Sequence, residues 1–224
     1  MLLTTKQAIA EDRTITREKY SELKLQAQFF KVSPGYLEAT PETKPSAGFY
    51  TPNGDITVTA VVGPKGSFYF ARKTAFREAS PVSYTIKLPT SKGVITVPHL
   101  GGSLTMPGRD TRIHVTDYPV GDTTLVYCTA EIFTWQEYED KTVLIVYGGM
   151  GETHELLLKR TAIGMFTKTS PDVKTKQDGP HLYAQWTVTD KEEQFIRAGN
   201  LYVYLIRESP PPPPPRNTST TLPN

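Results

Sequence analysis

The sequence predicts an all-β protein, an antiparallel β-sandwich preceded by one N-terminal α-helix. Three observations support this fold class. Apolar and polar residues alternate in many short runs, turn-forming Gly, Pro, Asn and Asp residues separate those runs about every 8–12 residues, and helical periodicity is confined to one early segment. The 224 residues are enough for one sizeable β domain with a terminal appendage.

The stretch 124–159 is central to this prediction. Residues 125–135 are rich in β-branched and aromatic side chains and alternate in polarity, which predicts one long strand. Val126 and Ile132 fall on one face of that strand, and Tyr127 and Glu131 fall on the other. We expect this stretch to form the core of the protein and not an active site.

Two more strands follow within the same stretch. Residues 143–147 are apolar at every position, which predicts a strand covered on both sides. A charged turn at 136–141 joins it to the first strand, and a glycine-rich turn at 148–152 leads to the third, at 155–159. We therefore expect the three strands to form the centre of one antiparallel sheet.

One α-helix is predicted at 17–31. Thr16 is a favourable N-cap, and the proline after Ser33 ends the helical segment. Side chains spaced by three and four residues form one apolar stripe. This stripe consists of Tyr20, Leu23, Ala27 and Phe30.

The remaining chain divides into a linker, further short strands and a tail. Residues 37–50 have the composition of a linker because of their Pro and Gly content. Six consecutive prolines within 208–224 supply no backbone donors, which predicts a disordered tail, with an SH3-type ligand as the alternative. Further strands are predicted at 55–62, 66–73, 83–88, 94–97, 112–116, 165–168, 172–176, 182–188 and 201–206.

Composition excludes several classes of function. A net charge of +2 gives no electrostatic reason to expect nucleic-acid binding. The sequence has no run of about 18 apolar residues and no basic segment followed by an apolar one, so we expect neither a membrane span nor a signal peptide. Cys128 is the single cysteine and is expected to be a small core residue.

Motifs for metals, nucleotides and serine nucleophiles are missing from the sequence. The glycines at 148–151 lack the third glycine of a dinucleotide-binding turn, and a tight hairpin explains them better. No G-x-S-x-G elbow occurs. The histidines lie too far apart for a metal-site spacing, so no metal, cofactor or catalytic residue is predicted. They are His99, His114, His154 and His181.

Glu131 is the acid that stands out, because it is predicted to lie in mid-strand among apolar neighbours. One interpretation is a buried acid with a shifted pKa. The interpretation we favour is an ion pair with an arginine, either Arg109 or Arg112. The acids of the turn at 136–141 are expected to be solvated, so no pair of glycosidase-type carboxylates is predicted.

Seven segments together resemble a known family. In sequence order they lie at 11–25, 31–37, 100–105, 108–118, 129–135, 147–152 and 201–205. They resemble the junction and the second domain of fungal β-galactosidases of glycoside hydrolase family 35, over about 8–207 of this chain. The resemblance implies three parts: a barrel-end segment at 1–36, a β-galactosidase domain 2-like domain at 37–207, and the tail.

The resemblance also implies what surrounds such a domain. The family contains multidomain, usually secreted, retaining enzymes that remove terminal β-galactosyl residues with two glutamates of a catalytic barrel. Both glutamates precede the helix, so neither is expected in this chain, and the chain is expected to be a non-catalytic accessory domain. The compartment of this chain itself stays undetermined.

Two kinds of partner are expected: the barrel and further β domains of a parent enzyme, which the resemblance implies, and carbohydrate, which the aromatic residues suggest. The apolar stripe of Tyr20, Leu23, Ala27 and Phe30 would face a missing barrel, so we expect it to be exposed or covered by self-association. The alternative function is a carbohydrate-binding module, in which exposed aromatic rings would support a sugar. The candidate rings are Trp135, Tyr138, Tyr183 and Trp186.

Overall fold

A computed structural model describes residues 8–9, 15, 17–44, 46–75, 77–108, 110–159, 167–190 and 194–208. Its helical elements are α1 (Arg17–Val32), a 3₁₀ turn (Pro34–Glu38) and α2 (Ser46–Phe49). Its strands are β1 (Thr40–Pro41), β2 (Ile56–Gly63), β3 (Gly66–Lys73), β4 (Val82–Tyr84), β5 (Ile86–Thr90), β6 (Gly93–Val97), β7 (Leu104–Met106), β8 (Thr111–Val120), β9 (Thr123–Cys128), β10 (Glu131–Glu137), β11 (Thr142–Gly148), β12 (Thr153–Lys159), β13 (Thr167–Thr169), β14 (Lys174–Asp178), β15 (His181–Thr187), β16 (Gln194–Ala198) and β17 (Leu201–Arg207).

The strands form three layers, and the predicted all-β fold class is confirmed. The middle layer is an eight-stranded sheet with the order β1-β2-β3-β8-β9-β12-β15-β14. A five-stranded sheet, β10-β11-β17-β16-β13, covers one face, and two ribbons, β4-β7 and β5-β6, cover the other. The first core lies between the middle sheet and the five-stranded sheet, and the second core lies between the middle sheet and the ribbons. Leu156 and Leu158 lie in the first core and Leu157 lies in the second, so β12 is buried on both faces.

The predicted long strand at 125–135 is in fact two strands in different sheets. β9 belongs to the eight-stranded sheet and β10 to the five-stranded sheet, with a break at Thr129. The backbone N–H of Thr129 donates to the carbonyl of Glu155, and its hydroxyl accepts from the N–H of Glu155. Cys128 and Ile132 flank the break and lie in the same core. Alternation therefore continues across the break at Thr129, although the chain changes sheets. Within β9 it does not hold, because Val126 and Tyr127 both lie on the ribbon side of the middle sheet, so the prediction that Val126 shares a face with Ile132 is wrong.

The second half of this stretch also differs from the prediction. The hairpin of β10 and β11 is present, with Tyr138 N–H donating to the Lys141 carbonyl in its charged turn. The glycine-rich turn, however, leads from β11 to β12 in the other sheet, so the three strands do not form one sheet. β11 is also not covered on both sides, because Leu144 is buried whereas Ile145, on the opposite face, is only half-buried.

The helix has two apolar faces, of which the sequence analysis identified one. The predicted stripe points away from the sandwich, with Leu23 52% and Phe30 42% exposed. The other face packs on the domain through Phe29, which is 4% exposed, and through Val32. Val32 also accepts hydrogen bonds at its carbonyl from the Trp135 indole at 3.0 Å and from the Tyr118 hydroxyl at 2.7 Å. The proposed cap at Thr16 lies outside the described residues.

Several predicted segments acquire structure that their composition did not indicate. The supposed linker at 37–50 contains β1, whose Pro41 pairs with Val61, and it ends in the buried Tyr50. The strand at 83–88 divides into β4 and β5, and β7 and β16 were not predicted. Residues 160–166 and the tail beyond Glu208 lie outside the described residues. Within the described part, no helix is long and apolar enough to cross a membrane.

Phe29→Ala is expected to lower the free energy of unfolding by about 3 kcal/mol, because it leaves a cavity where α1 meets the first core. Urea denaturation measures this change. Leu23→Ala, on the exposed face of the same helix, is the control and is expected to cost less than about 0.5 kcal/mol. Equal costs for the two variants would contradict the packing of α1.

Candidate functional site: the Arg112 cluster

Arg112, in β8, lies where the chain passes between the two large sheets. The chain crosses here twice, from β9 to β10 and from β11 to β12. Four carboxylates from separate segments surround the buried guanidinium, and we call the five residues the Arg112 cluster. The shortest separations from Arg112 nitrogens are 2.6 Å to Asp110, 2.6 Å to Glu152, 3.4 Å to Glu131 and 3.9 Å to Glu208.

Each acid is placed by the end of a strand. Asp110 precedes β8 and Glu131 begins β10. Glu152 ends the glycine-rich turn, where its carboxylate also accepts from the Gly149 N–H at 3.0 Å. Glu208 follows β17, and its N–H donates to the carbonyl of Gly148 at 2.8 Å. The cluster therefore joins strand ends of both sheets at one corner.

The predicted contact of Glu131 with an arginine is confirmed for Arg112, at 3.4 Å. The other interpretation, a buried acid with a shifted pKa, applies to the same carboxyl, because burial raises its pKa. The other candidate, Arg109, lies outside the described residues. Asp110, Glu152 and Glu208 were not predicted as partners of Arg112. Asp110, two residues from Arg112, could have been found from its proximity in the sequence, whereas the other two reach Arg112 only through the fold.

One guanidinium facing four carboxylates leaves the cluster with excess negative charge. Burial raises the pKa of Glu131 to about 8, because Arg112 offsets only part of the desolvation. Burial also acts to raise the pKa of Glu152, but hydrogen bonds from His154 and Arg112 outweigh it and hold that pKa at about 2. Near neutral pH the Glu131 carboxyl therefore keeps its proton, while Glu152 is ionised.

A neutral acid beside an ionised one is also found in the acid–base pairs of enzymes. The positions of the two acids show whether they could act on a substrate. Glycosidases need their two carboxyl groups on either side of a cleft that admits a sugar. Here Glu131 and Glu152 are both buried and bind the same guanidinium. Glu152 is further engaged by Gly149 and His154. The cluster can therefore hold strand ends together, and its two buried acids are engaged with one guanidinium and do not face each other across an open cleft.

A second buried carboxylate, Glu155 in β12, anchors the ribbon layer to the middle sheet. It accepts hydrogen bonds from the backbone N–H groups of His99 at 2.5 Å and Leu100 at 2.8 Å. The Tyr127 hydroxyl donates at 2.6 Å and the Gln185 amide at 3.1 Å. This role of Glu155 was not predicted, although the apolar residues at 156–158 that follow it are a signal of the kind that singled out Glu131.

The histidines occupy structural positions. His114 is buried and its Nδ1–H donates to the Thr129 carbonyl, so its Nε2 accepts from the Tyr84 hydroxyl at 2.7 Å. Burial lowers the pKa of His114 to about 3. His99 stacks on Tyr183, His154 bonds to Glu152, and His181 begins β15. No set of three His, Cys, Asp or Glu residues in the described ranges is arranged to hold a metal ion.

Three of the four candidate sugar-binding aromatics are not exposed platforms. Tyr183 and Trp186 are buried, and Trp135 is half-buried beneath α1. Tyr138 is exposed, in the charged turn of the β10–β11 hairpin. A cavity of about 300 Å³ lies beside Gly101 and Lys174, and Trp186 is part of its lining. Trp186 is nevertheless almost fully buried, and the other lining groups include the hydroxyls of Thr153 and Thr187, so the cavity offers no exposed ring as a platform for a sugar.

Glu131→Gln is expected to stabilise the chain at alkaline pH. The pKa of Glu131 is about 8 in the folded chain against an ordinary value of 4.5, so the folded state binds this proton more tightly than the unfolded state. Stability is therefore lost as the pH rises from about 5 to about 8. At pH 9 the free energy of unfolding of the glutamine variant, measured by urea denaturation, should exceed that of the parent by about 2–4 kcal/mol. Near pH 5 the two free energies should match.

The control for this prediction is Glu139→Gln, which removes an exposed carboxylate from the charged turn. The difference in free energy of unfolding between this control and the parent should stay constant across the same pH range. A Glu131→Gln variant less stable than the parent at pH 9 would show instead that Arg112 needs the charge of Glu131.

Comparison with known proteins confirms the family resemblance. A family model described as β-galactosidase, domain 2, matches residues 38–210. β-Galactosidase A of Aspergillus niger is 43% identical over 201 residues, which is 89% of this chain and 20% of that protein. β-Galactosidase A of a Penicillium species is 43% identical over 203 residues, with the same two shares. β-Galactosidase A of Aspergillus oryzae is 40% identical over 200 residues, 88% of this chain and 20% of its own.

The chain therefore spans about a fifth of the length of these relatives. The matched segment contains both large sheets and the whole Arg112 cluster, whereas α1 precedes it. Because this family model covers well over half of the sequence, the chain belongs to the β-galactosidase domain 2 family.

Proposed function

We propose that the chain is a non-catalytic structural domain of a β-galactosidase, which braces the catalytic barrel and neighbouring domains. The observation that carries this proposal is the Arg112 cluster. Its acids are the strongest candidates for chemistry in the described residues, and they are buried against one guanidinium that joins strand ends. Hydrolysis of terminal β-galactosyl residues would then belong to the parent polypeptide, together with its extracellular location.

The two faces of α1 support the bracing role. One face packs on the sandwich through Phe29, and the other exposes Leu23 and Phe30. A helix that is apolar on two faces suits a position between two bodies. The family match begins at residue 38, after this helix. We therefore propose that 1–36 is the end of a preceding barrel, that 37–207 is the bracing domain, and that 208–224 is a tail.

The purified chain is expected to show no hydrolysis of a chromogenic β-galactoside above the buffer rate. It is also expected to release no heat with galactose or lactose in calorimetry. Hydrolysis that Glu131→Gln abolishes would establish an enzyme instead. Binding heat that is lost in Tyr138→Ala would establish a carbohydrate-binding module, since Tyr138 is the exposed member of the four candidate aromatics.

Bracing itself is tested in a relative. Deleting from the A. niger enzyme only the segment that corresponds to 38–207 of this chain is expected to lower its unfolding temperature or its yield of folded protein. Inserting residues 38–207 of the present chain in its place should restore both, along with galactosidase activity. A deletion that leaves the stability unchanged would contradict the bracing role.

A further inference from the structure

The outer face of the five-stranded sheet carries apolar side chains where a solvent-facing sheet normally carries polar ones. β11 and β17 are parallel neighbours in the middle of this sheet, and their register sets three pairs of side chains on that face. We call these six residues the outer apolar face. They are Val143 with Tyr202, Ile145 with Tyr204, and Tyr147 with Ile206.

The outer apolar face is partly open in the isolated chain. Tyr204 is 42% and Ile206 40% exposed, and the other four side chains are half-buried. Leu144 and Val203, which alternate with them on the inner face, are fully buried. Sheets exposed on one side usually alternate between apolar and polar residues, and parallel strands are usually covered on both faces. Both rules indicate that another body covers this face.

The borders of the face indicate the chemistry of that body. At one border, the Lys168 ammonium lies 5.8 Å from the centre of the Phe195 ring, and the Arg197 guanidinium lies 4.8 Å from that of Tyr202. At the opposite border the register places the uncharged Thr134 and Gln136, and it places Glu131 beside Tyr147. The carboxyl of Glu131 is buried against Arg112, so this border of a second copy would not present it to the two cations.

We propose that the outer apolar face docks a second domain of the same β-galactosidase polypeptide, through an apolar patch that has a carboxylate next to Lys168. The inference rests on the proposed function, because about four-fifths of the length of the A. niger relative lies outside the match and can supply such a domain. Interfaces of this permanent kind resemble a domain core cut in half, which matches the aliphatic and aromatic composition of this face.

The test compares one double variant in two settings. Tyr204→Thr with Ile206→Thr removes the two most exposed side chains of the face and places a β-branched residue, which favours strands, at both positions of β17. The settings are the isolated chain and the A. niger enzyme in which residues 38–207 of this chain replace the corresponding segment. The double variant should lower the unfolding temperature of the isolated chain by less than about 2 °C and that of the chimera by more than about 4 °C.

Two further variants sharpen the result. Val94→Thr changes an apolar residue that is 67% exposed in β6, on the ribbon side. It should leave the unfolding temperature unchanged both in the isolated chain and in the chimera. Lys168→Glu should lower the unfolding temperature of the chimera alone, because it would face the carboxylate of the docked domain. Equal effects of the double variant in the two settings would overturn the docking surface.

The oligomeric state of the isolated chain and the activity of the chimera complete the test. If the isolated chain sediments as a dimer that the double variant dissociates, the occupant is a second copy and the proposal of a second domain is overturned. If the unmodified chimera lacks the activity and stability of the intact A. niger enzyme, the proposed bracing function fails, and the docking surface fails with it. An active chimera that tolerates the double variant overturns the docking surface alone.

Discussion

The contact between the Arg112 guanidinium and its carboxylates stabilises the fold where the chain passes between the two large sheets. Strands that alternate between two sheets must leave one and enter the other, and each crossing breaks the hydrogen-bonded ladder. Asp110 and Glu152 adjoin strands of the middle sheet, whereas Glu131 and Glu208 adjoin strands of the five-stranded sheet. One buried charge thereby fixes both sheets at the same corner. An arginine suits this position because its planar group donates in several directions at once.

Secondary structure could be predicted from the sequence where a local pattern decides it. The alternation in 66–73 predicts β3 with its observed bounds, and the charged turn predicts the β10–β11 hairpin. The prediction of one strand fails at Thr129, because residues on both sides of the sheet crossing face the same core and the alternation continues. Polarity records which side of a strand is buried, and it does not record which sheet the strand has joined.

The same distinction applies to the charge cluster. A glutamate among apolar neighbours predicts a partner, and Glu131 has one in Arg112. In the sequence, Glu152 belongs to a polar turn and Glu208 adjoins a proline-rich tail, and nothing close to either residue indicates burial. Charge networks that join distant segments become visible only when the fold brings those segments together. Among the aromatics, Trp135 shows the same limit, since its hydrogen bond to Val32 spans a large sequence separation.

The position of β17 also has a consequence for the order of assembly. This strand is the last in the described chain, yet it lies between β11 and β16 in the middle of its sheet. As the polypeptide leaves the ribosome, β11 therefore keeps an unsatisfied row of amide and carbonyl groups until 201–207 has been synthesised. An open strand of this kind is a template for misassembly between nascent chains. Rapid synthesis of residues 149–207, or a chaperone bound to the open edge of β11, would favour correct pairing of β17 with β11.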